Sequence, residues 1–77
     1  MHLNADDFYK IRKVYRLTSE EFGALCEISG AYVNMVEHGK RNLTERVKRR
    51  LIEELELTPD KLARIQAVFN EFDIKER

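Results

Sequence analysis

Residues 17–41, LTSEEFGALCEISGAYVNMVEHGKR, constrain the fold more than any other part of the chain. They read as two short helices joined by a tight turn. Thr18 stands where the first helix needs a cap. Glu20 and Glu21 follow in its first turn, and the Thr-x-x-Glu spacing lets each end satisfy an orphan amide of the other. Phe22, Leu25 and Cys26 supply the inward side of this helix, which should end near Glu27. Ser29 can cap the second helix, expected over 30–38, with Val33 and Val36 facing inward beside Tyr32. Gly39 is a natural left-handed terminator. Two helices that cross steeply bring their backbones close at one point, and Gly23, with no side chain, permits that approach.

The same period continues on both sides. Asn4, with Asp7 three residues later, predicts a helix over 5–16 with Phe8, Ile11 and Tyr15 as its stripe. Lys10, Arg12, Lys13 and Arg16 crowd its later turns, where positive charge suits the helix dipole. Thr44 opens a helix over 45–56 with Val47, Leu51, Ile52 and Leu55 inward. Thr58-Pro59 opens a fifth over 59–72, with Leu62, Ile65, Phe69 and Phe72 on one side. The closing DIKER is expected to fray. With no strand signal, repeat or linker, the expectation is one all-α domain over 1–77, a compact five-helix fold. A chain of 77 residues buries roughly 60–65% of its unfolded surface, so dimerisation would add needed stability.

Net charge is zero, but its distribution is uneven. Residues 1–50 carry ten Lys/Arg against seven Asp/Glu, whereas 51–77 carry four against seven, which allows a basic face on a neutral molecule. No run approaches a membrane span and the first residues lack a secretory core, so a cytoplasmic location is expected. The lone Cys26 reads as a small buried apolar residue. His2 and His38 have no metal-ligand neighbours at useful spacing, and no nucleophile–base pair or walled cleft is visible. No enzyme activity, metal or cofactor is expected.

The block 17–41 resembles, without a gap, the helix-turn-helix of the phage Cro/cI-repressor-like (XRE-type) family, and the likeness covers roughly residues 5–57. It implies a lambda-repressor-like fold and a sequence-specific regulator of double-stranded DNA, acting as a repressor. It also implies an ion pair, because Arg12 in KIRK and Glu37 in VEHGKR occupy the positions that tie helix 1 to helix 3 in that family. Helix 5 is commonly the dimer element there, which points to Ile65, Phe69 and Phe72 as a homodimer interface; the other reading is that Leu62, Ile65, Phe69 and Phe72 all cap the domain's own core. The chain departs from the family pattern in three places. Ser19 replaces the usual glutamine opening helix 2, Glu27 the glycine of the turn, and Arg16 the glycine or asparagine ending helix 1.

By the same resemblance helix 3 enters the major groove, bringing Gly30, Ala31, Tyr32, Asn34 and Met35 to the bases. Only Asn34 among these makes strong bidentate contacts with a base edge. Thr18 and Ser19 at the start of helix 2, the following Lys40, Arg41 and Asn42, and Arg46 on helix 4 are the expected phosphate contacts. Arg46, Lys48, Arg49 and Arg50 precede Glu53, Glu54 and Glu56 on helix 4, an order that opposes the dipole. Either a phosphate backbone lies near its start, or these cations pair internally, as at the i, i+4 spacings Arg49–Glu53 and Arg50–Glu54. The zero net charge and the apolar helix 3 face also fit a second class, a protein-interaction module such as an antirepressor, assembly factor or antitoxin with a regulatory protein partner.

Overall fold

The computed structural model describes residues 1–72, five helices with no strand among them. They are α1 (Ala5–Val14), α2 (Ser19–Cys26), α3 (Gly30–Glu37), α4 (Glu45–Leu55) and α5 (Pro59–Phe72). The expected tail at 73–77 lies outside the described residues. Each helix starts on a polar cap. The side chains of Asn4, Thr18, Ser29, Thr44 and Thr58 accept from the amides of Asp7, Glu21, Tyr32, Val47 and Lys61. Asn4–Asp7 and Thr18–Glu21 are full capping boxes, as the sequence spacing predicts.

Four helices end alike. The amides of Leu17, Ile28, Lys40 and Leu57 reach back to the carbonyls of Arg12, Gly23, Met35 and Ile52, and the residue before each amide is left-handed. Those left-handed residues are Arg16 (φ 58), Glu27 (φ 63), Gly39 (φ 78) and Glu56 (φ 51). Helix α1 therefore stops two residues short of the expected 16, because Arg16 has left the right-handed region.

The helices close over Phe8, Ile11, Phe22, Val33, Val36 and Leu51, all fully buried. The Phe8 and Phe22 rings meet at 4.7 Å between centroids, locking α1 to α2. Helix α3 packs on α2 and α1, α4 on α2, and α5 on α1. A buried carboxylate secures the last contact, since Asp7 accepts from the Asn4 amide at 3.2 Å and from Gln66 Nε2 at 2.7 Å.

Two expected dimer residues are corrected here. Ile65 and Phe69 are buried within the chain itself, and Phe69 meets the Tyr9 ring edge-on at 5.9 Å. Of the three, only Phe72 remains exposed.

Candidate nucleic-acid interface

Gly23 sets the angle between α2 and α3. A Cβ placed there would collide with the Ile28 carbonyl oxygen in the turn, so any larger residue forces the two helices apart. Gly30 serves a second close approach. A Cβ on it would lie 2.9 Å from Glu20 Cγ and 3.2 Å from Glu20 Cα, so its bare side faces the first turn of α2. The missing side chain of Gly30 thus serves the α2–α3 contact.

The face that α3 leaves outside consists of Ala31 and Asn34, with Met35 half-buried at its edge. Tyr32 is half-buried against the core. Ser19 Oγ donates to Asn34 Oδ1 at 2.8 Å, linking the start of α2 to the middle of α3. With its oxygen engaged, Asn34 keeps an amide group as a donor toward solvent. Thr18 is occupied by its capping box, its amide donating to Glu21 Oε1 at 2.9 Å. Glu20 and Glu21 stand in that same first turn and oppose a phosphate there.

Cations are richer beyond α3. Lys40, Arg41 and Asn42 are exposed in the connection to α4, with Arg41 Nη1 donating to the Lys40 carbonyl at 2.9 Å. On α4, Arg49 is exposed, and Lys48 pairs with Glu45 at 3.1 Å. Arg46 and Arg50 take a partner that sequence spacing alone does not suggest. Glu27 directs Oε1 to Arg46 Nη2 at 3.6 Å and Oε2 to Arg50 Nη2 at 3.4 Å, and Arg50 also reaches Glu54 at 3.4 Å. Part of the reversed charge order on α4 thus has an internal answer, supplied across the fold from the α2–α3 turn as well as along α4.

The predicted tie between α1 and α3 is present. Arg12 Nε and Nη2 donate to the two Glu37 carboxylate oxygens at 2.7 and 3.0 Å, and Nη1 donates to the Leu17 carbonyl at 3.0 Å. Such a fork holds α3 by its last turn at a fixed distance from α1. Among the described residues no group of three or more His, Cys, Asp or Glu is placed to hold a metal ion. No helix among them is long and apolar enough to cross a membrane. No protein-family model, curated protein or solved structure matches this chain.

Proposed function

We propose that this chain is a sequence-specific double-stranded DNA-binding regulator, acting as a homodimeric repressor through binding rather than catalysis. One observation carries the reading. The α2–turn–α3 unit is braced by Gly23, Gly30 and the Arg12–Glu37 fork, yet Ala31 and Asn34 of α3 face solvent, and the connection that follows α3 exposes Lys40, Arg41 and Asn42. A major groove admits a helix presented in this way, and cations beside it suit the phosphates. Repression follows from the family resemblance, as simple occupancy of the duplex. Within the reading, Asn34 reads a base edge, Ala31 and Met35 touch thymine methyl groups, and Lys40, Arg41 and Arg46 hold phosphates.

Selection of bound fragments from a randomised duplex pool tests this directly. A recovered consensus supports a regulator. Affinity should fall steeply with salt, and Arg41→Gln should weaken all sequences nearly equally while reducing the salt slope by about one. Salt-insensitive binding would remove the phosphate assignments.

A second reading, a protein-interaction module of the same fold, is favoured by the composition of the α3 face. Ala31 and Met35 offer no hydrogen bonds, and the Asn34 oxygen is already engaged by Ser19. Failure to retain any duplex at low salt, together with capture of a defined protein partner, would select this alternative.

A further inference from the structure

We infer that Glu27 occupies, in the free protein, an anion site on α4 that a backbone phosphate takes when duplex binds. The inference rests on the DNA reading and adds a control element to it. The Glu27 carboxylate is forked between two guanidinium groups, one oxygen to Arg46 and the other to Arg50, as a phosphate's two free oxygens would be. Arg46 is well placed for exchange, because its side chain is 78% exposed and its separation from Glu27 is 3.6 Å, at the loose end of an ion pair. Arg50 is the anchored half. Its side chain is half-buried, Glu54 meets the same Nη2 that Glu27 does, and its Nε is buried without a hydrogen-bond partner.

Glu27 stands in the turn that leads into α3, so this acid lies between the proposed reading helix and the cations of α4. An exposed pair of this kind is weak, and a polyanion displaces it at small cost. The consequence is a brake on non-specific affinity. Each encounter with a random duplex must release Glu27 before Arg46 can neutralise a phosphate, and the freed carboxylate then takes up a counterion.

Glu27→Gln tests the inference, because it keeps the side-chain length and the left-handed backbone while removing the charge. Glu27→Ala serves as a second variant, and thermal melting by circular dichroism checks that both fold. The probe is a mixed-sequence duplex titrated across a salt series. Glu27→Gln should bind about three- to ten-fold tighter, with a salt slope steeper by about one ion. Arg46→Gln should cost little in the parent chain and markedly more in the Glu27→Gln background. Equal affinity and equal slope for parent and variants, with duplex bound by all, overturns this inference and leaves the DNA reading standing. No binding by any of them at about 50 mM salt removes the DNA reading and this inference with it.

Discussion

Glu37 places both carboxylate oxygens on one guanidinium in a site where its side chain is 4% exposed and that of Arg12 is 14%. Removing either partner leaves the other charge desolvated and unpaired. Glu37→Ala should therefore cost about 3 kcal/mol or more, a large part of what so small a domain possesses. Urea titration reads this directly, and the double change Arg12→Met with Glu37→Leu should recover much of the loss, because no charge is then stranded. A double variant as unstable as the single one would mean that the pair contributes shape rather than charge compensation. Cys26 gives a second residue-level expectation. Burial pushes its thiol up from 9.0 to about 11, with Arg50 pulling it down and Glu54 raising it by smaller amounts. The neutral thiol is thus favoured by the fold. Below pH 9 it contributes no pH dependence, and between pH 9 and 11 the unfolded chain ionises first, so stability falls as pH rises. A Cys26→Ala variant should lose that component of the alkaline slope, and the native thiol should react with a disulfide reagent at neutral pH only as fast as the fold opens.

The helix ends decide how much of this fold is readable in its sequence. Starts are written in the chain's chemistry, since Ser, Thr and Asn caps are local signals, reinforced at Asn4 and Thr18 by an acid three residues later. Two buried leucines escape the helical period for the same local reason. Leu3 and Leu57 precede the caps of α1 and α5, where an apolar residue staples against the fourth helical position, and Phe8 and Leu62 stand there, both buried. Stops are less legible, because three of the four left-handed terminators are Arg16, Glu27 and Glu56 instead of glycine. Their backbone is set by the long-range need to turn the chain, which propensity does not encode. The candidate site divides in the same way. The Arg12–Glu37 fork follows from the family resemblance, whereas Glu27 is 19 and 23 positions from the arginines it pairs with and carries no spacing signal. A left-handed side chain costs energy that glycine avoids, so Arg16→Gly and Glu56→Gly should each stabilise the domain by about 0.5–1 kcal/mol. That gain should raise the melting temperature by a few degrees. Gly23→Ala should do the reverse, because its methyl meets the Ile28 carbonyl. A melting temperature unchanged or lowered by Arg16→Gly would show that Arg16 makes a compensating contact.

At the scale of the whole molecule, the proposed homodimer needs a seam, and the burial of Ile65 and Phe69 moves it to a different strip of α5. Phe72 is 67% exposed and Val68, one turn earlier, is 37% exposed. Beside Val68 runs a groove lined by Val14 at the end of α1, by Tyr15 just after it, and by Lys61, Ile65 and Val68 of α5. If two copies of α5 cross antiparallel about Val68, the Phe72 of one falls opposite residue 64 of the other, over that groove. Knob and groove then satisfy each other twice, as a two-fold interface requires. Charge agrees with this register. Arg64 and Glu71 are exposed and neither has an ion-pair partner among the described residues, while the antiparallel crossing sets each against the other residue in the opposite copy. Sedimentation equilibrium on the full chain should show a monomer–dimer equilibrium that Phe72→Glu abolishes. Arg64→Glu should weaken the dimer by opposing two acids across each half of the seam. Combining it with Glu71→Arg should restore association, since the swap rebuilds both pairs with their signs exchanged. Rescue by the double variant is specific to this register, because a seam elsewhere on the molecule has no reason to respond to both residues together. A chain that stays monomeric at millimolar concentration, or a dimer indifferent to all three changes, would leave α5 outside the interface and require another face to set the half-site spacing.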